Sequence, residues 1–217
     1  MGIQITKVFR LEGIRIKVVL VYIKKARPFL YNNTGLKCQQ CVSSIDESEV
    51  KPDNYKTINE YVEELALRKV LAVDSHITKK EGDKEKPLLI GADTVVVCDG
   101  NMFGKPKSKS HAIQMLTVMS NNMHTVYTGV VVKKLDTIVK FTEKTDVYFG
   151  NITKEQIEAY VNTEEPMDKA GGYGIQGIGG TMVERINGDY YTVVGLPLHK
   201  LFCVIYDLYK DDNRSQP

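Results

Sequence analysis

The stretch of residues 87–100 reads PLLIGADTVVVCDG and predicts a core strand over residues 87–98. Apolar residues lie on both sides of the tetrapeptide Gly91-Ala92-Asp93-Thr94, as expected of a strand that is buried within a sheet. The dipeptide Asp99-Gly100 is a turn signal, so the strand is expected to end there. A second segment, residues 14–23, is rich in Val and Ile and predicts another buried strand.

The rest of the chain alternates between helical and strand patterns. Over residues 57–73 the apolar residues recur at helical spacing, and Thr57 with Glu60 forms a capping-box pattern at the start. Some strands follow one another directly, so the predicted class is α/β with a mixed sheet. The remaining patterns predict a charged surface loop at 76–86, helices at 110–119, 153–161 and 197–209, paired strands at 126–134 and 138–149, and a hairpin whose strands, 181–186 and 190–194, flank Asn187-Gly188-Asp189.

Composition excludes several classes of function. The 217 residues include 29 Lys and Arg and 27 Asp and Glu, which gives a formal charge of +2. Proteins that bind nucleic acid duplexes usually have a stronger basic excess, so neither DNA nor RNA is expected as a partner. Segment 14–23 is too short to span a bilayer, Arg15 and Lys17 interrupt it, and no small-residue cleavage site follows. A soluble, cytoplasmic protein without membrane contact is therefore expected.

Two of the four cysteines, Cys38 and Cys41, form a C-x-x-C motif. A zinc site normally needs a second pair or nearby histidines, and none follows at a suitable spacing. The motif is therefore expected to carry no chemistry, with a redox or a metal-binding role as the weaker alternatives.

Asp93 is the first candidate functional residue, because it lies in the middle of the apolar strand at 87–98. A carboxylate in such a strand is costly unless it is paired, protonated or bound to a metal. Two interpretations stay open at this point. Asp93 either bonds a turn or helix start as a structural residue, or serves as a metal ligand or as a base that activates water.

Two later segments have the composition of an anion-binding site. Gly104-Lys105-Pro106 places a lysine beside a glycine, although solvated loop lysines are common and the signal is weak alone. The glycine-rich stretch 168–180 predicts a backbone that approaches a ligand closely or adopts positive φ. Within it, Lys169 offers a point charge for a phosphate, and Gln176 offers both a donor and an acceptor for a base or ribose. Walker A and dinucleotide fingerprints are absent from the sequence.

In their order and spacing, these strings resemble the signature of the Maf family, also described as septum-formation or Maf-like proteins. The resemblance covers residues from about 35 to about 208. The order and spacing of the strings taken together are far more specific to the family than any single string. The matching strings are SIDE at 44–47, IGADTVV at 90–96, GKP at 104–106, HTVYTGV at 124–130, DKAG at 168–171, YGIQG at 173–177 and VGLP at 194–197.

The resemblance implies an enzyme that hydrolyses nucleoside triphosphates to the monophosphate and pyrophosphate. It implies a single Maf-like domain of two lobes, with the α/β fold of the inosine triphosphate pyrophosphatases, built around an elongated, mixed and twisted sheet. The implied cofactor is Mg²⁺ or Mn²⁺, held by Glu47 and Asp93, and Asp93 is the implied catalytic carboxylate that activates water. Binding of the triphosphate or the base is implied for Arg27, Lys69, Lys105, Lys169 and Gln176.

Two of the strings also imply the substrate. Asp-Lys-Ala-Gly at 168–171 and Ile-Gln-Gly at 175–177 resemble the branch of the family that acts on dTTP and UTP. The branch that acts on 7-methyl-GTP typically has Cys-Ala-Gly and Glu-Gly at those places. Pyrimidine nucleotides, including modified ones, are therefore the expected substrates, in a house-cleaning role. Members of the family are often homodimers, which makes a homodimer a further expectation.

The first 34 residues depart from the family pattern. The family follows its first strand with Ser-x-Ser-Pro-Arg-Arg, whereas this chain has Lys24-Lys25-Ala26-Arg27-Pro28. Arg27 falls near the first family arginine, Pro28 replaces the second, and the serines are absent. Three explanations stay open: a variant phosphate loop, a weakened or inactive enzyme, or an N-terminal sequence that differs from the natural one. The alternatives to catalysis are a nucleotide-binding regulatory protein and a purely structural protein.

Overall fold

The computed structural model describes residues 18–22, 38–81 and 87–214, and the predicted core strand lies inside its sheet. This strand, β3, spans Leu88–Cys98 and is followed by the predicted turn. Leu88 and Leu89 are each 2% exposed, and Ile90 is fully buried. Because consecutive residues of a strand point to opposite faces, both faces of β3 are buried at this end.

One mixed sheet contains the strands of the described residues. Besides β3, these are β1 (Val18–Tyr22), β2 (Cys38–Val42), β4 (Asn101–Phe103), β5 (Met123–Lys134), β6 (Thr137–Phe149) and β7 (Val183–Asn187). The order is β2-β1-β3-β5-β6-β7, and β4 pairs with β3. Strand β1 is parallel to β2 and to β3, whereas β4 is antiparallel to β3 and β7 is antiparallel to β6. The prediction of an α/β fold with a mixed sheet is confirmed.

The α-helices of the described residues are α1 (Ile58–Glu81), α2 (Lys109–Met119), α3 (Lys154–Asn162), α4 (Tyr190–Val194) and α5 (Leu198–Arg214). Helix α3 begins with the capping box that the sequence predicts. The Thr153 hydroxyl accepts from the Gln156 backbone N–H at 3.3 Å, and the Gln156 side chain accepts from the Thr153 N–H at 2.8 Å. Within the described residues, no helix is long and apolar enough to cross a membrane.

The chain divides into two compact units. The first contains the described residues up to Ala92, the segment Gly129–Phe141 and the described residues from Leu198 onward. The second contains Asp93–Thr128 and Thr142–Pro197. The chain therefore passes from the first unit to the second within β3, between Ala92 and Asp93.

In the first unit, helix α1 packs against the sheet through buried Ala66, Val70 and Val73, which meet Leu89 of β3. This packing needs a glycine at position 91. A Cβ there would lie 2.6 Å from Val70 Cγ2 and 2.9 Å from the Ala66 carbonyl oxygen, closer than side-chain carbons approach one another. The first residue of the GADT string is thus required by helix packing.

The core of the second unit is formed by α2 and α3 on the far end of β3. Met115, Leu116 and Ile157 are each at most 2% exposed and pack into one cluster with Val96. Burial of side chains of this size stabilises a fold by roughly 1.5–3 kcal/mol each. The cluster supports the loops that carry the glycine-rich strings, which include buried Tyr173.

The structure corrects the prediction of a surface loop at residues 76–86. Helix α1 continues to Glu81, and only residues 82–86 lie outside the described residues. The reason is the side chain of Ile77, which packs against the core of the first unit and extends the apolar stripe of Ala66, Val70 and Val73 by one turn.

The prediction of a hairpin around residues 187–189 is half wrong. Strand β7 is present, but Tyr190–Val194 forms helix α4. The Asp189 carboxylate accepts from the Thr192 backbone N–H at 2.8 Å and from its hydroxyl at 3.0 Å, which makes Asp189 an N-cap. Gly195 then ends the helix in the left-handed region. Strands β2 and β4 were not predicted.

Candidate active site

The first unit contains an ion pair between two of the predicted site residues. Lys69 lies on α1 and is only 3% exposed. Its Nζ is 2.8 Å from Glu47 Oε1 and 3.5 Å from the carbonyl oxygen of Ala92. A buried ammonium is costly unless a carboxylate and further acceptors compensate it, so this pair fixes the position of Lys69.

Glu47 is held in place by a short local structure. It begins a 3₁₀ helix, Glu47–Glu49, whose N-cap is Asp46. Asp46 Oδ1 accepts from the Ser48 backbone N–H at 2.9 Å and from its hydroxyl at 2.6 Å. The hydrogen bond from the Ser48 hydroxyl, followed by that from its backbone, lowers the pKa of Asp46 below its ordinary value. Of the two acidic residues in the SIDE string, Asp46 therefore caps the turn and Glu47 pairs with the lysine.

Asp93 follows Ala92 in β3 and is half-buried. The carbonyl oxygen of Ala92 faces the Lys69 ammonium. The next residue, Thr94, is anchored by a chain of hydroxyl groups. The Thr94 and Thr128 hydroxyls are 2.9 Å apart, and Thr128 donates to the Thr192 carbonyl oxygen at 2.8 Å.

The direction of this chain follows from counting hydrogens. Thr128 has one hydroxyl hydrogen, which it donates to Thr192, so Thr94 is the donor to Thr128. The backbone beside Asp93 is therefore held by two consecutive hydrogen bonds. The sequence does not predict this role of the threonines, although Thr94 lies in the IGADTVV string and Thr128 in the HTVYTGV string.

The loops of Lys105 and Lys169 meet in the second unit. The backbone N–H of Gly171 donates to the Gly104 carbonyl oxygen at 3.1 Å. Lys105 is exposed, whereas the Lys169 side chain is only 17% exposed. Lys169 Nζ pairs with the neighbouring Asp168 carboxylate and donates to the Glu165 carbonyl oxygen at 3.4 Å. The backbone hydrogen bond thus joins the two loops, and Asp168 and Glu165, which are close to Lys169 in sequence, orient its side chain.

Gln176 is half-buried, in the middle of the glycine-rich stretch. Its side-chain Nε2 is shielded from solvent and has no hydrogen-bond partner among the described residues. A buried donor without an acceptor costs about 1–3 kcal/mol. This amide therefore has unused capacity to donate to a ligand. The prediction of positive φ in this stretch is confirmed at Gly171 and Gly172.

A buried histidine supports the start of the same stretch. His124 is fully buried, and its Nε2 lies 2.8 Å from the hydroxyl of Tyr173. The two rings and Phe149 contact one another edge to face. Burial lowers the pKa of His124 to about 4 and raises that of Tyr173, so both groups are neutral near pH 7. His124 lies in the HTVYTGV string but was not singled out from the sequence.

A sequence profile of the Maf-like protein family matches residues 25–208. The chain belongs to the Maf family. The family resemblance that the sequence strings carry is therefore confirmed.

Individual Maf relatives match most of the chain. A protein from Clostridium botulinum (strain Okra / Type B1) is 46% identical over 194 residues, which cover 88% of this chain and 96% of the relative. A protein from Clostridium novyi (strain NT) is 43% identical over 194 residues, with 88% and 97% covered. A protein from Thermosipho africanus (strain TCF52B) is 44% identical over 160 residues, with 73% and 81% covered. All three are named dTTP/UTP pyrophosphatase.

The structure brings some of the predicted Maf site residues together and leaves one undescribed. Glu47 and Lys69 are in contact within the first unit, and the second unit contains Asp93, Lys105, Lys169 and Gln176. Arg27 and the altered loop at 24–28 lie outside the described residues.

The second unit also has a cavity of about 400 Å³, beside α3 and the 3₁₀ helix Ile178–Met182. Asn151, Tyr160 and Thr181 are among its lining residues, but none of the predicted site residues lines it. We therefore do not place the chemistry in this cavity.

Proposed function

We propose that this Maf-family chain hydrolyses dTTP and UTP to the monophosphate and pyrophosphate. The activity is supported by relatives of that name that are 43–46% identical over most of the chain. The observation on the molecule itself that carries the proposal is the buried Lys69, paired with Glu47 at 2.8 Å. A lysine ammonium binds phosphate and a carboxylate binds a divalent cation, so this pair contains both kinds of group that a nucleotide with its cation requires.

Asp93 is the proposed general base. It is half-buried in β3, and the hydroxyl chain from Thr94 holds the backbone beside it. In the proposed reaction Asp93 takes a proton from a water molecule that attacks the α-phosphorus, and pyrophosphate leaves. A general base must keep its position relative to the attacking water. The anchored backbone at Thr94 would hold Asp93 in that position.

The family resemblance assigns a Mg²⁺ or Mn²⁺ ion to Glu47 and Asp93, whose carboxylate oxygens are the donors that a hard divalent cation prefers. The described residues contain no cluster of three His, Cys, Asp or Glu side chains that could hold a metal ion by themselves. Mg²⁺ is commonly held by only one or two carboxylates, with substrate phosphates and water completing its shell. When bound, the cation neutralises charge on the pyrophosphate leaving group.

The remaining predicted residues fit the binding of the nucleotide. Lys69, Lys105 and Lys169 are the proposed partners of the triphosphate oxygens, since an ammonium binds phosphate as a point charge. The buried and unpaired Nε2 of Gln176 is the proposed donor to the base or the reacting phosphate. A carbonyl such as that of a pyrimidine base would supply the acceptor that this amide lacks.

The test is a panel of nucleoside triphosphates with Mg²⁺ or Mn²⁺, in which pyrophosphate release is measured. The proposal expects dTTP and UTP to be the best substrates and to be cleaved to the monophosphate. The altered segment 24–28 favours a second candidate, a nucleotide-binding protein without catalysis. Thermal stabilisation by dTTP with no pyrophosphate released under either metal would favour this second candidate and overturn the first.

A further inference from the structure

Glu165 has a set of hydrogen bonds that the proposed reaction does not use. It begins the 3₁₀ helix Glu165–Asp168, and its carboxylate accepts three hydrogen bonds. Oε1 accepts from the Tyr160 hydroxyl at 3.1 Å and from the Gly179 backbone N–H at 3.2 Å. Oε2 accepts from the Ile178 backbone N–H at 3.0 Å. Bonds to a charged acceptor are stronger than those between neutral groups.

The Tyr160 hydroxyl connects this carboxylate to the other end of the same segment. Tyr160 lies on α3 and is 5% exposed. While it donates to Glu165, its oxygen accepts from the backbone N–H of Gly174 at 3.2 Å. The segment Gly174–Gly179 is therefore tied at both ends to one pair of side chains, and Gln176 lies between the ties.

The glycines of the segment fit this arrangement. A Cβ at Gly177 would lie 2.4 Å from Glu165 Oε1, and a Cβ at Gly179 would lie 2.6 Å from the Tyr160 hydroxyl oxygen. Both distances are shorter than the contacts that a Cβ makes in folded proteins. A side chain at either position would have to displace the Glu165 carboxylate or the Tyr160 hydroxyl, so glycine fits the close approach of the backbone to these groups.

We propose that Glu165 and Tyr160 form a clamp that positions Gln176 for the nucleotide, an inference that rests on the proposed function. The Gln176 amide nitrogen has no partner among the described residues, so bonds from Nε2 do not hold the side chain. Its location is set instead by the backbone on either side, which the clamp holds. Glu165 and Tyr160 are thus positioning residues that act through Gln176.

The clamp is tested first without reference to activity, by hydrogen exchange of the backbone amides in the full-length protein. Glu165→Gln keeps the size of the side chain but replaces one acceptor oxygen with a donor that faces a backbone N–H. We expect the backbone amides of Ile178 and Gly179, which donate to this carboxylate, to exchange at least about ten times faster in this variant. The matched control is Glu164→Gln, since the Glu164 side chain is 72% exposed and lies on the same turn.

A second variant guards against a general loss of folding. Tyr160→Phe keeps the ring in the core and removes only the hydroxyl that bonds Gly174 and Glu165. We expect faster exchange at Gly174 with unchanged exchange in α2, which packs in the same core as the Tyr160 ring but makes no hydrogen bond with its hydroxyl. Unchanged exchange over 174–179 in both variants would overturn the clamp.

The link to Gln176 is tested by kcat/KM for dTTP in two backgrounds. Glu165→Gln should lower kcat/KM by roughly 10- to 100-fold when Gln176 is present, because misplaced binding groups lose that much. In a Gln176→Ala background the same change should lower kcat/KM by less than about 3-fold, since its effect passes through the missing side chain. Equal losses in both backgrounds would show that Glu165 does not act through Gln176.

The outcomes for the two proposals are distinguishable. If the unmodified protein releases no pyrophosphate from any nucleoside triphosphate, the proposed function and the role of the clamp in it both fail. The exchange experiment still decides whether Glu165 and Tyr160 hold the segment. If pyrophosphate is released and exchange is faster but kcat/KM is unchanged, the proposed function stands and the positioning role is wrong.

Discussion

Lys69 Nζ lies 2.8 Å from Glu47 Oε1, in an ion pair whose lysine side chain is 4% exposed and whose glutamate side chain is 32% exposed. Breaking this ion pair is therefore expected to cost more free energy at Lys69 than at Glu47. Glu47 can be solvated in part when the pair is broken, whereas the Lys69 ammonium stays in a place that water hardly reaches. This asymmetry gives the substitutions of the two residues different expected effects on stability.

Glu47→Gln should destabilise the protein by about 2–4 kcal/mol, because it removes the carboxylate that lies 2.8 Å from a buried ammonium. The measurement is the free energy of unfolding from urea denaturation at pH 7. Glu49→Gln is the matched control on the same turn, since Glu49 is exposed, and should change stability by less than about 0.5 kcal/mol.

Replacing both partners, as Glu47→Gln with Lys69→Met, should restore most of the stability that Glu47→Gln alone removes. An apolar side chain of similar length no longer needs a counter-charge in the core. The double variant is expected within about 1 kcal/mol of the parent in urea. A double variant as unstable as Glu47→Gln alone would contradict the assignment of the cost to the buried ammonium.

Asp93→Asn should lower kcat for dTTP by about 100-fold or more, because an amide cannot take the proton from water. The fold should persist, since the amide has nearly the same size, and circular dichroism should match the parent. Asp136→Asn serves as the control, because Asp136 is exposed in the turn between β5 and β6. Parental turnover in Asp93→Asn would show that the proposed base is wrong.

His124 should make the protein less stable as the pH falls. Its pKa is lowered to about 4 by burial, from an ordinary value of 6.5, so between these values the unfolded chain binds a proton that the folded chain does not. Stability from this group is therefore fully present above pH 6.5 and declines toward pH 4, by up to about 1.4 kcal/mol per pH unit. The measurement is urea unfolding at a series of pH values.

The contribution of His124 is isolated by comparing variants. His124→Gln should flatten the decline between pH 6.5 and 4, although it lowers stability at pH 7. His76→Gln, at an exposed position on α1, is the control for replacing a histidine with glutamine. The same slope in the parent and in His124→Gln would mean that other groups cause the decline.

Thr128→Val should break the hydroxyl chain that anchors Thr94. Valine has the same shape, but the Thr192 carbonyl oxygen loses its donor and the Thr94 hydroxyl loses its acceptor, at a cost of about 1–3 kcal/mol. If this chain also fixes the backbone of Asp93, kcat should fall while KM changes little. Thr137→Val, at an exposed position where β6 begins, is the control for both measurements.

Prediction from sequence succeeded where local patterns agree with the packing. Strand β3 and the capping box at Thr153 were predicted because their signals are local. The hairpin prediction failed at Tyr190–Val194, because an Asn-Gly-Asp run both turns a chain and caps a helix. Residues 76–81 were assigned to a loop, since their charges hide the single apolar residue, Ile77, that faces the core.

For the candidate site, the sequence by itself determined the family. The order and spacing of short strings pointed to the Maf family, which the family profile confirms over residues 25–208. That resemblance is also the source of the predicted site residues, which are Arg27, Glu47, Lys69, Asp93, Lys105, Lys169 and Gln176.

Tertiary structure alone decided how several of these residues are held. The pairing of Lys69 with Glu47, the anchoring of Thr94 through Thr128, and the hold of Glu165 on the segment around Gln176 each join residues far apart in the chain. Such contacts depend on distances in the folded state, and a linear pattern contains no information on which buried polar groups will meet.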